Sequence, residues 1–529
     1  MVKMNDIDGQ KQLKHNAVWY TAFVFMLLMS VCNCIRQIID RMTCELQYSF
    51  TWDNPIYWTV GRGYLNGLKP YADLFETKPP GIFLLSAFSF IVNGDVFIGN
   101  IFSFICLVII GSVPLMSAIL IYRNRKAESF EKALMYTCAG AFGACVMLYS
   151  QIRSGQMQVE ALGAAFICLY VLVVFNIDTD KAKPYSPAIF LAALFVMGGV
   201  MFKEPFLLVA LASVLFFTKT IKDFVYKLVL PILYGGVLGI VVMTFTGTLG
   251  PYITIYLPHM TGNHVSIHGS PFKRGFDIRR ILDDLGKFSG GLQVMIIIII
   301  VLVSVIIMRN RTGNELSSRR RLVFSVIDFV KVVLIVYLVS FSVGLGGQYY
   351  NHHYVFAVPF YIAAFIFIVK EIESRLMVII GVLLIISSSV FYLLPDYQYD
   401  QNVLDAYPVM KQQAEYVDGL LEHYETDRYQ YLGFNGNRFY GLTEHSPLGP
   451  VFIQDPNNFK EDDTWFTRNL RQQMEEAQIL IVEKLNAPVM NDELSRMITE
   501  DFTLEPWDDT YNEDVPEDFE YTIYYRVRR

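Results

Sequence analysis

Twelve apolar runs occupy the first 395 residues of this 529-residue chain, near 16–36, 82–93, 96–122, 132–149, 159–176, 187–202, 205–218, 226–246, 291–308, 324–345, 353–370 and 376–394. Several approach the roughly 20 apolar residues that cross a hydrocarbon core. Inside lipid, backbone polar groups must be satisfied within the segment itself, which a helix does and an open strand does not. The expected fold over 1–395 is therefore an all-α polytopic membrane body. A composition 53% hydrophobic and 18% charged agrees with that reading. Residues 1–16 are polar, and no short apolar stretch with a small-residue cleavage site follows, so the first span is expected to be retained.

The remainder, 396–529, stands on a different footing. It holds 28 of the 50 acidic residues but 11 of the 43 basic ones, giving −17 against a chain total of −7. It also lacks a long apolar run. A separate soluble α/β domain is expected here, with an amphipathic helix over 404–424 and strands at Tyr429–Phe434, Ile479–Glu483 and Tyr521–Val527. Asn435-Gly436-Asn437 after the first strand reads as a turn. The acidic balance argues against a nucleic-acid partner. No P-loop or dinucleotide-binding pattern occurs. Six cysteines (Cys32, Cys34, Cys106, Cys138, Cys145 and Cys168) lie in or beside apolar runs, and Cys44 lies in a loop. Their spacing gives neither a disulfide framework nor a zinc ribbon.

Basic residues between runs mark a cytoplasmic side. Arg123/Arg125/Lys126, Lys181/Lys183, Lys219/Lys222/Lys227, Arg309/Arg311 with Arg319–Arg321, and Lys370/Arg375 are each separated from the next by a pair of runs. The loop 247–290 also carries basic residues, but parity puts it outside. With Arg123 inside and the first loop outside, residues 80–122 cross an odd number of times. Three crossings in that length are too tight at about 1.5 Å per residue. The run 82–93 is accordingly expected to be interfacial or re-entrant, leaving about 11 spans; the alternative is two true spans here against the charge rule, within a range of about 11 to 13, and the tail is expected to be extracytoplasmic.

The first loop carries the densest pattern, Trp52-Asp53-Asn54-Pro55 opening a helix through Tyr57, Gly61 and Tyr64, then Gly67-Leu68-Lys69-Pro70-Tyr71, then Glu76-Thr77-Lys78-Pro79-Pro80-Gly81. Asp53 before Pro55 suits a helix N-cap as well as a general base. Lys78 reads either as a point charge for an anion or as an interface lysine with its stem in lipid. Glu160 follows Arg153-Ser154-Gly155-Gln156-Met157-Gln158-Val159 at the start of a run, where an ionised group must be paired, with Arg153 the nearest partner. Lys203-Glu204-Pro205 divides two short runs. His352-His353 lies in Gly346-Gly347-Gln348-Tyr349-Tyr350-Asn351-His352-His353-Tyr354. His264 and His268 have the spacing of a zinc pair on one helix face. Pro271 and nearby glycines argue instead for a mobile loop.

This arrangement resembles the first extracytoplasmic loop of the GT-C glycosyltransferases, the integral-membrane class that includes protein O-mannosyltransferases and aminoarabinose transferases. The resemblance covers roughly 16–395. It implies inverting transfer of a sugar from a polyprenyl-phosphate donor to an acceptor glycan, lipid or protein at the outer face of a cell membrane. It implies catalytic roles for Asp53 and Glu160. Lys78, Lys203, His352, His353, Arg153 and Tyr57 would stand on the donor-phosphate side. No metal ligand set is implied, and a divalent cation is the single open cofactor. Two departures stand out. Many relatives have two adjacent acids where this chain has Asp53-Asn54, and many have an arginine near Gln348.

Two other functions fit a polytopic chain. A transporter or lipid flippase would show related halves and ionisable groups at mid-membrane, whereas here no repeat is visible and charges gather at run ends. A non-catalytic envelope assembly protein would keep the fold without turnover. The charge pattern makes one direct prediction. Protease added outside intact spheroplasts is expected to remove the tail beyond Asp396, and a tail protected until the membrane is broken would overturn the topology.

Overall fold

The computed structural model describes residues 20–39 apart from 26, 42, 53–124, 136–144 apart from 142, 158–264, 318–345, 351–371, 401–433, 436–454, 459, 464–484, 492–505 and 521–526. The membrane body is helical: α1 (Tyr20–Ile39), α2 (Asn54–Leu65), α3 (Gly81–Asn93), α4 (Phe97–Asn124), α5 (Val159–Phe175), α6 (Pro187–Phe202), α7 (Phe206–Leu215), α8 (Ile221–Phe245), α9 (Ser318–Gly344) and α10 (Val358–Glu371). Among the described residues, α1, α4 and α8 are long and apolar enough to cross a membrane, with mean hydropathies of 1.9, 2.7 and 2.3. Shorter apolar helices pack between them. The runs 291–308 and 376–394 lie outside the described residues.

Charged groups divide the body into two faces. Helix α5 carries Glu160 in its first turn and leads to residues 178–180. There Thr179 donates to Asp223 at 2.7 Å and Lys222 lies 3.7 Å from Asp180. Helix α6 runs back to Lys203, beside Glu160. Helix α9 spans the same distance: Lys331 donates to the Thr218 carbonyl at 2.9 Å, and Ser342 approaches the Pro205 carbonyl at 3.4 Å. The loops with Lys181, Lys219 and Lys222 thus share one face, as the charge pattern anticipates, and Glu160 and Lys203 share the other.

Helix α3 does not connect these faces. It starts beside Lys78 and ends at Gly94, whose left-handed φ of 74° closes it. Just beyond, Val96 joins Trp58 of α2 and Met410 of the tail in one apolar cluster. Its 13 residues rise only about 20 Å. Both ends lie on the Glu160 side, which accounts for a run too short to cross.

The body's tightest seam joins α5 to α6 and α7. A Cβ on Gly163 would stand 2.2 Å from the Phe206 ring and 3.1 Å from the Gly199 carbonyl. Small residues let helix backbones approach where lipid gives no hydrophobic drive for association. The seam lies one turn from both Glu160 and Lys203, so this close approach brings the two charges together.

The tail forms α11 (Gln401–His423), β1 (Tyr429–Leu432), α12 (Gly436–Leu442), α13 (Trp465–Glu476), β2 (Ile479–Glu483), α14 (Asp492–Asp501), β3 (Phe502–Leu504) and β4 (Tyr521–Arg526). The sheet order is β1-β2-β4-β3, with β1 and β2 parallel and the other pairs antiparallel. The three expected strands are present, and β3 is an addition. Gly436 opens helix α12, where the turn reading had placed no helix.

The tail is seated on the first loop. A Cβ on Gly441 would meet Pro55 at 2.6 Å, so α12 touches the start of α2 almost backbone to backbone. Arg62 donates to the Tyr440 carbonyl at 2.7 Å, and the Phe75 amide donates to the Pro450 carbonyl at 3.2 Å. The Phe75 ring packs among His259, Trp465 and Phe466. First loop and tail therefore lie on the same face.

The α5 seam carries its own test. Gly163→Val pushes two methyl groups into a fully buried ring and should destabilise the protein by about 1–3 kcal/mol. A melting temperature in detergent equal to that of the parent would show that the helices do not approach as described.

Candidate functional site

Asp53 occupies the N-cap position of α2, but its side chain makes no capping hydrogen bond. Its backbone carbonyl starts the helix instead, accepting from the Ile56 and Tyr57 amides at 3.1 and 3.3 Å. The capping role is thus not the one the carboxylate performs. One turn later on the same face, Tyr57 is fully buried. Burial pushes its hydroxyl well above the ordinary tyrosine range, and the charges of Asp53, Glu160 and Glu76 push it further.

Lys78 turns inward. Its side chain is 15% exposed, and Nζ lies 3.4 Å from Glu76 Oε1. It is therefore not an interface lysine with its head in water. Burial alone would lower its pKa. The carboxylates of Asp53, Glu76 and Glu160 outweigh burial and hold the ammonium above its ordinary value. Its contribution to stability is then fully present below the unfolded lysine pKa and is lost only as pH rises through the higher folded value.

Lys203 sits where α6 stops, its backbone extended at φ −161° and ψ 123°. Pro205, just beyond, cannot supply the amide that would continue the ladder. Lys203 Nζ lies 3.2 Å from Glu160 Oε1, in the first turn of α5. The adjacent Glu204 is not its partner. Glu204 Oε1 accepts from the Tyr256 hydroxyl at 2.5 Å and the Tyr252 hydroxyl at 3.2 Å. His353, in the 3₁₀ segment Asn351–Ala357, places Nε2 3.9 Å from the same Glu160 oxygen.

Residues up to three hundred positions apart thus meet in one cluster, with Tyr57, Glu76, Glu160 and His353 buried and Asp53, Lys78 and Lys203 half-buried. Arg153, His268 and the loop beyond His264 lie outside the described residues, as does the His352 side chain. The part of the 247–290 loop that is described is not irregular. Leu249–Pro251, Tyr252–Tyr256, Leu257–His259 and Met260–His264 follow end to end as alternating α and π turns. Tyr252 and Tyr256 pack on Tyr71 of the first loop. His259 lies between Phe75 and Phe466, where burial lowers its pKa.

Sequence reasoning missed the Tyr71, Glu204, Tyr252 and Tyr256 group. Its one available signal was the four-residue spacing of the last two tyrosines, which puts both on one helical face. Among the described residues, no cluster of three or more histidine, cysteine or carboxylate ligands has metal-site geometry. No protein-family model, curated protein or solved structure matches this chain.

Chemically, the cluster offers two ammonium groups to an incoming anion and carboxylates beside them to accept a proton. Each lysine holds a carboxylate that an anion would displace or share.

The Glu160–Lys203 pair is nearly removed from water, so deleting one partner strands a charge. Glu160→Ala should cost about 3 kcal/mol of stability. The double variant Glu160→Gln/Lys203→Met should recover most of that loss. Thermal melting of the two proteins checks this, and additive losses would mean that the groups are not coupled.

Proposed function

We propose that the chain is an integral-membrane glycosyltransferase that moves a sugar from a polyprenyl-phosphate donor to an acceptor at the outer membrane face, with inversion. The observation that carries this reading is the convergence of the half-buried Asp53, Lys78 and Lys203 on the buried carboxylates of Glu76 and Glu160, on the face where the tail packs. Such a reaction needs a base for the acceptor, cations for the departing phosphate and exclusion of water. The shorter apolar helices other than α3 count as crossings in this reading, for about 11 to 13 spans. The basic face is cytoplasmic, and the tail lies outside a cell membrane. The transporter alternative fits less well, because Glu160 lies in a first helical turn and Lys203 at a helix end rather than at mid-span.

The chemistry is a single displacement. The acceptor oxygen or nitrogen attacks the anomeric carbon and forms the new glycosidic bond. The bond from that carbon to the phosphate oxygen breaks, and the electron pair leaves with the polyprenyl phosphate. Asp53 takes the acceptor proton. Lys78 and Lys203 hold the phosphate charge, and attack opposite the leaving group inverts the centre. Glu160 and His353 orient Lys203, and Tyr57 lines the acid side. Arg153 and His352 complete the donor side. A divalent cation would add a further positive charge near the phosphate.

The decisive experiment is transfer from a lipid-linked sugar by purified protein. Asp53→Asn should still fold, with a modest fall in melting temperature from the charge withdrawn beside Lys78, yet lose about 10²–10⁴-fold in turnover. Alongside it, Lys78→Ala should lose more donor use than Lys78→Arg, which keeps the charge. Turnover by Asp53→Asn within a few-fold of the parent would remove the base role and the glycosyltransferase reading of the first loop. A parent protein that folds but consumes no lipid-linked sugar would favour a non-catalytic assembly role.

A further inference from the structure

Tyr71 holds a backbone conformation that side-chain-bearing residues rarely adopt, with φ at 71°. Such strain persists only where surrounding contacts over-determine it, and it gathers at functional sites. The contacts here are specific. The Tyr71 amide donates to the Leu74 carbonyl at 2.7 Å. Its fully buried ring meets Phe83, Tyr252 and Tyr256 at centroid distances of 6.0, 5.9 and 4.9 Å. Its hydroxyl donates to the backbone carbonyl of Lys78 at 2.9 Å. That bond closes the turn carrying Glu76 and Lys78 and fixes where the Lys78 side chain starts.

The same aromatic group reaches the second lysine from the other side. The Tyr252 and Tyr256 rings stack at 4.8 Å and 21°, and both hydroxyls end on one oxygen of Glu204. They stand on a π-helical turn, a geometry frequent at functional sites. Glu204 lies between Lys203 and Pro205, where α6 ends and α7 has not begun. A chain break of this kind has few backbone bonds of its own. The Lys203 amide still donates to the Gly199 carbonyl, and the Phe206 amide to the Lys203 carbonyl. The Leu207 amide donates to the Glu204 carbonyl at 3.0 Å, and the Glu204 side chain adds an anchor to a different element.

We infer that Tyr71 and Glu204 are positioning residues for the two phosphate-facing lysines, Tyr71 through the Lys78 carbonyl and Glu204 by tying the Lys203–Pro205 break to Tyr252 and Tyr256. Their role in the reaction rests on the donor-phosphate reading of Lys78 and Lys203. The positioning itself does not, and it can be measured without a donor. The three tyrosines and Glu204 act as one clasp between the first loop, the helix break and the overlying segment 249–264. Tyr71→Phe keeps the ring and every stacking contact and loses only the bond to Lys78. A purely space-filling role would leave that variant silent.

The experiment is reductive methylation of the full-length protein in detergent with formaldehyde and cyanoborohydride, followed by peptide mass spectrometry. Lys181, 88% exposed and on the opposite face, serves as the internal reference. Tyr71→Phe should raise the relative methylation rate of Lys78 roughly three- to tenfold, the scale of one lost hydrogen bond. Glu204→Ala should do the same at Lys203, whereas Glu204→Gln, whose amide oxygen still accepts from the tyrosines, should change it less than twofold. If Glu204→Ala does not fold, the double variant Tyr252→Phe/Tyr256→Phe removes the same bonds and keeps the rings. Unchanged lysine reactivity in variants that melt like the parent overturns the positioning role. A farnesyl monophosphate probe, added to the parent protein, separates the two readings: it should slow methylation of both lysines. Variant effects without that protection would support the clasp and overturn only the donor-phosphate assignment.

Discussion

A carboxylate taken out of water must find a counter-charge, and Glu160 finds it at the end of another helix. Its side chain is 2% exposed, and its partner Lys203 is 18% exposed. Neither group would tolerate this burial alone, because the solvation lost by an ion exceeds what apolar packing returns. The pairing therefore constrains everything around it. Helix α6 has to stop at Lys203 and α5 has to start just before Glu160. The backbones have to approach closely enough for Gly163 to lie under Phe206. His353 adds a third group from a distant segment and draws the 3₁₀ turn before α10 to the same point.

From that pair the two-faced arrangement follows. Helices α5, α6 and α9 run between a basic face and the face that holds the cluster. The first loop lies along the latter, with α3 beside it. The tail covers this layer through α12 and the Phe75 contacts, closing over the start of α2. A low-dielectric setting strengthens each interaction in the cluster and raises the penalty for any group left unpaired. Lys78 illustrates the balance: burial favours the neutral amine, and three carboxylates together reverse the preference.

Much of this was legible in the sequence because its signals were local. Apolar runs located α6 at 187–202 to the residue, and strand patterning located β2 at 479–483. The basic loops anticipated which ends share a face. Local signals also misled. Asp53 before Pro55 looked like a cap, and the structure shows that its backbone, not its carboxylate, serves the helix. Sequence adjacency would pair Glu204 with Lys203. Yet adjacent side chains diverge from a helix end, and Glu204 turned to two tyrosines some fifty residues away. Partners at that separation leave no periodicity to detect. The Asn435-Gly436-Asn437 turn failed for the opposite reason: the propensity was real, but packing of α12 against Pro55 overrode it.

The placement of the C-terminal sheet and its helices gives the cluster a mechanical context. Its contacts fall on α2, on Phe75 and on the segment 249–264, the elements that also carry Asp53, the Lys78 turn and the tyrosine clasp. Packed rings and hydrogen bonds join these elements directly. His259 makes the coupling concrete, because it touches Phe75 of the first loop and Phe466 of the tail at once. Its burial among aromatic rings disfavours the charged imidazolium. The acidic tail would repel an anionic ligand at long range. In the proposed reading, the two lysines attract the donor phosphate at short range from within the covered layer, where screening by water and salt is weakest. That reading suits a donor that arrives through the apolar phase with its charge at one end better than one that approaches from bulk solvent across the tail.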